Sequence, residues 1–287
     1  MEQLLQQVAN GIMVGGIYGL VALGLTLIYG VLYIPNFALG HQAMIGAYIT
    51  FFLVSLFGVN YFLAVAIAMG AMALLGVATE RLVFRPIKDA PHVNGFIAAF
   101  GLLFLLESSA LISWGASYRK IDTVYDTQVF TVLGAHLPLQ RIIVVVAVII
   151  IFAAIQLFLR RTMAGAALRA VSQQREAALL VGIDGDRVAS LTMAVGGALA
   201  AAAGGLIGPV ILVFPTMGSM LIVKAFVIII LGGMGSVAGA IVGGFLLGLV
   251  ESVASGLISP SYKDLYGFLF LVIVLAVRPT GLFGRAH

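Results

Sequence analysis

The residue types that perform catalysis are sparse in this 287-residue sequence, and they form no catalytic pattern. No GxxxxGK[ST] phosphate-binding loop is present, and without cysteine the chain has no thiol nucleophile, thiolate metal ligand or disulfide. The four histidines are scattered and show no metal-ligand spacing: His41, His92, His136 and His287. The sequence therefore predicts neither an enzyme nor a metal site.

Ionisable side chains inside long apolar runs are the remaining candidates for chemistry. Such a group is costly at membrane depth, so it is expected to face a cavity or an opposite charge. Glu107 lies in the middle of the run FGLLFLLESSA and is the deepest carboxylate, either as a functional group or as a protonated or hydrogen-bonded structural residue. Lys224 and Glu251 lie near the ends of their runs. For these two we expect a structural role, with the lysine extending to the lipid headgroups.

Two positions are expected to interrupt a membrane helix. Pro35 and Asn36 open the second apolar run, and a Gly-Gly pair follows the segment VIIIL at 227–231. Backbone unwinds at membrane depth only where it is buried in protein or lines a wet cavity. The candidates for lining a transmembrane path are therefore Asn36, His41, Gln42, Glu107, Gly232 and Gly233.

Long apolar runs must position these residues. With 62% hydrophobic and only 9% charged residues, the chain has too little polar surface for a soluble domain. Most of its nine apolar stretches reach the roughly 20 residues that span the hydrocarbon: 9–33, 37–57, 61–84, 93–113, 139–160, 188–213, 218–233, 236–258 and 262–278. The sequence predicts an all-α polytopic membrane protein of one domain, residues 1–287, with about eight transmembrane helices plus re-entrant or broken segments.

Positive charge orients such a bundle. Ten of the fifteen lysines and arginines lie in the segments 81–92, 160–190 and 278–287, and segments of this kind are retained in the cytoplasm. Three apolar stretches precede the first basic segment. If that segment is cytoplasmic, either the N-terminus lies outside the cytoplasm or one of the three stretches does not cross the membrane. We favour a re-entrant or broken stretch at 37–57, with both ends of the chain cytoplasmic.

Small residues recur at every fourth position in three of the stretches. They are Gly11, Gly15 and Gly19, then Gly196, Ala200, Gly204 and Gly208, then Gly235, Gly239 and Gly243. Lipid supplies no hydrophobic drive between helices, so a small-residue face lets two backbones approach closely. The pattern predicts tight helix packing in the interior of the bundle, and it is compatible with glycines that line a path.

The segment 160–190 is the longest charged interruption, and it is predicted to lie in water on the cytoplasmic side. A helix over 176–181 would offer a small apolar face made of Ala177, Leu180 and Val181. A helix lying on the lipid surface is an equal alternative. The expected caps and stops are Thr162 for a first short helix, Gly182 after the second, and Asp184 or Asp186 before the next membrane helix.

The segment 114–138 is external by the same parity. Its Thr, Val, Tyr and Phe residues favour extended structure, and Trp114 and Tyr118 suit a membrane interface. This segment is the largest surface that the sequence offers to an extracytoplasmic partner. The alternative is a solvated loop that binds no partner.

Several motifs, in order, resemble one family of transporters. Glu176, Ala177 and Ala178, with Gly182 four positions later, resemble the EAA loop of ABC importer permeases, which docks in a groove of the ATPase. Four further segments are similar to the branched-chain amino acid permeases of the LivH type: GIYGLVALGLTLIYGVL at 16–32, PNFA at 35–38, GGMGSVAGAIVGG at 232–244 and RPTGLFGR at 278–285. The resemblance covers nearly the whole chain, although the Leu-Pro pair of the broader EAA pattern is absent.

The resemblance implies a permease subunit of an ABC importer in the bacterial cytoplasmic (inner) membrane, for branched-chain or related amino acids. The implied partners are a second permease of similar or identical type, two ATPase subunits and an extracytoplasmic substrate-binding protein. The permease itself would need no cofactor, because the partner subunits use the ATP. The segment 160–190 becomes a coupling loop, and the residues implied to contact the ATPase are Glu176, Ala177, Ala178, Leu180, Val181 and Gly182.

Two alternatives remain open at the level of sequence. An ion-coupled secondary transporter would use Glu107 or His41 as its proton or cation site, and it would need an ion gradient in place of an ATPase. An ABC permease for urea, short amides or aromatic acids would differ only in its cargo.

Overall fold

The computed structural model describes residues 2–125, 128–132 and 135–284. Within them the chain is helical apart from one hairpin, turns and connecting segments. The helices are α1 (Glu2–Leu32), α2 (Leu39–Ser55), α3 (Tyr61–Thr79), α4 (His92–Trp114), α5 (Leu139–Arg161), α6 (Met163–Gln173), α7 (Arg175–Leu180), α8 (Gly185–Ile207), α9 (Met217–Gly232), α10 (Val237–Leu257) and α11 (Lys263–Val277). A π-helical turn (Glu80–Phe84) and a 3-10 turn (Arg85–Ile87) extend α3, and a second 3-10 turn (Pro260–Tyr262) precedes α11.

Seven helical segments in the described residues are long and apolar enough to span a membrane, and α2 and α9 are shorter apolar helices. The seven are Gln3–Leu32, Tyr61–Ile87, Val93–Trp114, Leu139–Arg161, Gly185–Ile207, Val237–Leu257 and Pro260–Val277. The all-α polytopic membrane class predicted from composition is confirmed.

The two ends of the bundle can be told apart by their charged residues. We call the end that holds Arg85 and Arg175 the basic end, and the C-terminal residues of α1 line a pocket with both of these arginines. The start of α1 lies at the opposite end, where Asn10 bonds to Arg141 at the start of α5 and Gln7 accepts a hydrogen bond from the α10 residue Ser252. Helix α1 therefore crosses the bundle.

The expectation that both ends of the chain share one side is wrong. Helix α10 ends beside the start of α1, where Gly256 meets Gln7, and α11 then runs back in the opposite direction, so the last described residues lie on the side of the basic end whereas α1 begins at the opposite end. Of the two alternatives left open by parity, the structure favours an N-terminal end on the side opposite to the basic segments.

The break expected over Asn36 to Gln42 is present up to Ala38, whereas the expectation is wrong for His41 and Gln42, which lie inside the regular helix α2. Helix α1 ends at Leu32, Tyr33 takes a left-handed φ of 56°, and α2 begins at Leu39. Between them Pro35 has no backbone N–H to offer a helix, and the Asn36 side chain accepts a hydrogen bond from Ala38 N at 3.0 Å. The broken segment is buried, because Asn36 is 1% exposed.

Small residues bring the interior helices together as predicted. A Cβ on Gly15 would lie 2.5 Å from Gly244 O, and one on Gly11 would lie 2.8 Å from Leu249 Cα, so α1 and α10 pack backbone to backbone. Gly204 of α8 meets the α2 backbone at Ala43 in the same manner. The predicted stripe is wrong at Gly235, which lies in the turn before α10 with a φ of 81°.

The segment between α4 and α5 holds the two strands, which its residue types favoured. Strand β1 (Val129–Val132) pairs antiparallel with β2 (Ala135–Pro138), with Val129 opposite Pro138. Trp114 ends α4 and stacks on Tyr48 of α2 at 4.2 Å between ring centroids. The segment lies at the end of the bundle opposite to the basic end, and its extracytoplasmic location remains a prediction.

Candidate functional site

The short helices of the segment 160–190 form where their caps were expected. Thr162 Oγ1 accepts a hydrogen bond from Gly165 N at 2.9 Å and caps α6. The carboxylate of Asp184 caps α8 by accepting from the backbone N–H groups of residues 186 and 187 at 3.0 and 3.1 Å. Gly182 ends α7 with a φ of 86°, a conformation that glycine adopts without steric cost.

Helix α7 offers an exposed apolar surface at the basic end. Leu180 is 89% exposed and Val181 is 76% exposed, and Ala177 also faces outward. Of the six residues implied to contact an ATPase, Ala178 is the exception, because it is 4% exposed and packs inward. The available face is therefore wider than the one derived from helical spacing, since Leu179 is also half exposed.

A network of charged groups lies beside α7 and joins the end of α3 to the start of α8. Arg85 binds the Glu80 carboxylate with two hydrogen bonds of 3.0 and 2.9 Å, and it also donates to Ser190 Oγ at 2.9 Å. Ser190 in turn donates to Glu80 at 2.6 Å. Lys88 adds an ion pair with Asp186 at 3.0 Å. Opposite charges in this network balance one another, which holds two membrane helices together at the basic end.

Two of the predicted path residues meet in one polar cluster. The ring nitrogen Nε2 of His41 on α2 lies 2.7 Å from the Glu107 carboxylate on α4. Ser219 of α9 donates to the same carboxylate oxygen at 3.3 Å. His41 is fully buried, whereas the Glu107 side chain is 26% exposed. The cluster therefore joins three helices and reaches the surface of the chain through Glu107.

Asn36 and Gln42 are buried close to this cluster along the chain but do not belong to it. Besides bonding Ala38, Asn36 has its amide nitrogen 3.8 Å from the sulfur of Met193. Gln42 is 1% exposed, and neither polar atom of its side chain has a hydrogen-bond partner in the described part of the chain. An unpartnered amide at this depth is costly, which fits a residue beside a wet path.

Aromatic rings join α4 and α9 through the segment that precedes α2. Phe37, which lies between α1 and α2, stacks on Phe100 of α4 with centroids 4.3 Å apart and on Phe226 of α9 with centroids 4.7 Å apart. On α4 and α9 these rings lie seven residues from Glu107 and Ser219, which is about 10 Å along a helix. Stack and cluster therefore line one groove between α4 and α9, with α2 as its floor.

The α4–α9 groove, as we call it, is open on one side in the single chain. Phe100 is 43% exposed, Phe104 is 64% exposed and Val223 is 45% exposed along its walls. Two of its features were not predicted from the sequence, namely Ser219 and the aromatic stack. The sequence gives only a weak indication of either feature, because one serine and several phenylalanines are ordinary residues in an apolar membrane helix.

The expected break at Gly232 and Gly233 is present but lies elsewhere. Helix α9 ends at Gly232, and Gly233 has a φ of 96°. The end of the chain closes this point, since Leu282 N donates to Leu231 O at 2.8 Å. Ser219 is thirteen residues away along α9, about 20 Å. The structure therefore does not bring this glycine pair together with His41 and Glu107.

Lys224 does not extend to the headgroups, and that expectation is wrong. Its ammonium group forms an ion pair with Glu251 of α10 inside the bundle and a second, 2.7 Å pair with Asp264 of α11. The side chains of Lys224 and Glu251 are 5% and 0% exposed. Gly267 of α11 leaves the space that the carboxylate fills, because a Cβ there would overlap Glu251 Oε1. The lysine turns inward because an opposite charge is available there.

Comparison with known proteins identifies the family. A family model described as "Branched-chain amino acid transport system / permease component" matches residues 7–277. The high-affinity branched-chain amino acid transport system permease protein LivH of Escherichia coli is 33% identical, and the match covers 98% of this chain and 96% of LivH. The corresponding protein BraD of Pseudomonas aeruginosa is also 33% identical, with the same two coverages.

More distant matches extend the comparison. The fructose import permease protein FrcC of Rhizobium meliloti is 27% identical, and that match covers 75% of this chain and 61% of FrcC. Among solved structures, PsaBC from Streptococcus pneumoniae in complex with Fab matches with a TM-score of 0.51 at 16% identity, covering 98% of this chain and 93% of that one. This likeness concerns the fold alone. The family model and the two 33% identical relatives together establish that this multi-pass membrane protein belongs to the permease components of branched-chain amino acid transport systems.

Proposed function

We propose that this chain is the membrane subunit of an ABC importer that carries branched-chain or related amino acids across the bacterial cytoplasmic membrane. Its partners would be a second permease, two ATPase subunits that use the ATP, and an extracytoplasmic substrate-binding protein. The relatives named for branched-chain amino acid transport support the cargo. One observation carries the proposal, namely a groove between membrane helices that combines a polar cluster, an aromatic stack and a broken helix.

The α4–α9 groove would supply half of the translocation path. Its open side exposes Phe100, Phe104 and Val223 together with the carboxylate of Glu107. An ionisable group at membrane depth avoids lipid by facing a cavity or a protein partner. A second permease that covers the groove would enclose a path with Glu107 and the aromatic stack inside it.

Helix α7 would dock on the ATPase. Its exposed leucine and valine side chains form an apolar surface outside the membrane helices, and the adjacent network around Arg85 ties this region to α3 and α8. Movement of a docked ATPase would then pass directly to two membrane helices. No cofactor would bind to this chain.

The energy source is tested by uptake into proteoliposomes that hold this chain with its presumed partners. With ATP inside and no ion gradient, we expect leucine to accumulate when the binding protein is added outside. Uptake that ignores ATP and follows a proton or sodium gradient would overturn the proposal in favour of an ion-coupled transporter.

The docking surface is tested by Ala177→Glu, which places a charge on the exposed face of α7. We expect leucine uptake to fall at least about tenfold, since a buried unpaired charge in an interface costs several kcal/mol. The matched control is Met163→Glu at the start of α6, where the methionine is 88% exposed in the same segment. Equal uptake by both variants would exclude docking on α7.

A further inference from the structure

No lysine or arginine in the described residues pairs with the Glu107 carboxylate. Among the described residues its ion-pair partner is His41, and the Nδ1 atom of that fully buried ring has no hydrogen-bond partner there. A protonated ring would bury an unpartnered cationic N–H, which costs more than burying an unpartnered lone pair. The neutral ring, donating through Nε2, is therefore favoured. With a neutral ring, the described residues supply hydrogen bonds to the Glu107 carboxylate but no cation beside it.

One oxygen of this carboxylate is left for an external donor. His41 and Ser219 both approach Oε2, at 2.7 and 3.3 Å, whereas Oε1 accepts no hydrogen bond from the described residues. The two contacts hold the group in one orientation, and the 26% exposure of the side chain opens it to the groove. A carboxylate held in this way forms its strongest hydrogen bond with a charged donor such as an ammonium group.

Apolar side chains lie one helical turn from the cluster on both walls of the groove. Phe104 lies one helical turn from Glu107 on α4, and Val223 lies one turn from Ser219 on α9. Such walls exclude water, which strengthens an electrostatic contact compared with the same contact in solution. They also match an aliphatic chain. The site therefore fits a molecule with a primary ammonium group at one end and an apolar group at the other.

We propose that Glu107 binds the primary ammonium group of the transported molecule while the walls of the α4–α9 groove hold its apolar side chain. This inference rests on the proposed function, and it adds the chemical group that the permease itself recognises. A molecule of the same shape that carries a carboxylate in place of the ammonium group offers no donor to Glu107, so the groove should distinguish an amine from the corresponding acid.

The test uses cysteine labelling, because the chain has no native cysteine. Val223→Cys is introduced into the complete complex in lipid nanodiscs, and its rate of reaction with a water-soluble thiol reagent is measured with isopentylamine or with 4-methylpentanoate present. We expect the amine, at about ten times its dissociation constant, to slow labelling about tenfold, because occupancy protects by a factor of one plus the ratio of amine concentration to Kd, and the acid to have no effect. Added Glu107→Gln should abolish the protection, and Glu107→Asp should retain part of it.

Two controls make the result specific. Asp89→Asn removes an exposed carboxylate outside the groove and should leave protection by the amine unchanged. Ile112→Cys, on the same helix as Glu107 and 85% exposed, should label at the same rate with and without the amine. Equal protection by amine and acid, or full protection in Glu107→Gln, overturns the inference. If Glu107→Gln does not assemble, the comparison of amine with acid in the Val223→Cys protein decides alone. Failure of ATP-driven leucine uptake would instead overturn the proposed function.

Discussion

Two of the ion pairs between described membrane helices, Lys224 with Glu251 and His41 with Glu107, differ in how their charge is balanced. Lys224 and Glu251 form a neutral pair with almost no exposure, and the added partner Asp264 is 72% exposed and so remains solvated. His41 and Glu107 form a pair in which a neutral ring supplies a hydrogen bond and no cation, and Glu107 reaches the surface. Only the first pair contains its own cation.

The difference separates a structural charge from one that awaits a ligand. A buried carboxylate needs a cation because desolvation otherwise costs several kcal/mol. At Glu251 the protein supplies that cation from α9, which fixes α9 against α10 and α11. At Glu107 the described residues supply only hydrogen bonds, so the cation is expected from outside. The same reasoning predicts a large loss of stability when Lys224 is replaced and a small loss of stability when Glu107 is replaced.

The largest effect is expected from Lys224→Met, which leaves the Glu251 carboxylate buried without a cation. Removing one partner of a buried pair costs about 3 to 5 kcal/mol. The expected result is a lower thermal unfolding midpoint of the purified complex in detergent, with loss of assembly as the extreme case. An unchanged midpoint would show that this lysine does not balance Glu251.

The double variant Lys224→Met with Glu251→Leu should recover most of that stability. Replacing a buried ion pair by apolar side chains of similar size is often neutral, so we expect a net change within about 1 kcal/mol of the native protein. Thermal unfolding of the two single variants and the double variant forms a double-mutant cycle. Additive losses in the cycle would mean that the two side chains do not act as a pair.

Sequence reasoning anticipated local features better than these pairs. The break at Pro35 and the caps at Thr162 and Asp184 depend on one residue and its near neighbours, so they can be derived from the chain. Lys224 is different, because its direction depends on Glu251, 27 positions away on another helix. A spacing rule within one helix cannot predict which residues face each other across two helices.

The candidate site shows the same difference between local features, which the sequence predicts, and contacts between helices, which it does not. Glu107, His41, Asn36 and Gln42 were selected because each is polar in an apolar run, and two of them turned out to be partners. That they meet, and that Ser219 completes the cluster, depends on the packing of three helices. The position of the N-terminal end also required the structure, since parity allowed two answers and contacts such as Asn10 with Arg141 select one.

Removing the Glu107 carboxylate should affect stability far less than removing Lys224. In Glu107→Leu the His41 ring loses its acceptor, but a charge at membrane depth is also removed, and the two changes are expected to offset within about 1 kcal/mol. Leucine uptake should nevertheless fall sharply, because the ammonium group loses its partner. A variant that is as destabilised as Lys224→Met would show that Glu107 is structural, like Glu251.

The smallest effect is expected from Ser219→Ala, because its hydroxyl donates to Glu107 over 3.3 Å, longer than the usual 2.7 to 2.8 Å for this kind of bond. Such a bond is worth at most about 0.5 to 1 kcal/mol, so the concentration of isopentylamine that protects Val223→Cys should rise roughly two- to fivefold. The matched control is Ser109→Ala on α4. That hydroxyl donates to the Leu105 carbonyl at 2.6 Å and has no contact with Glu107. Equal effects of the two serine changes would show that Ser219 does not hold the carboxylate, and the orientation of Glu107 would then depend on His41 alone.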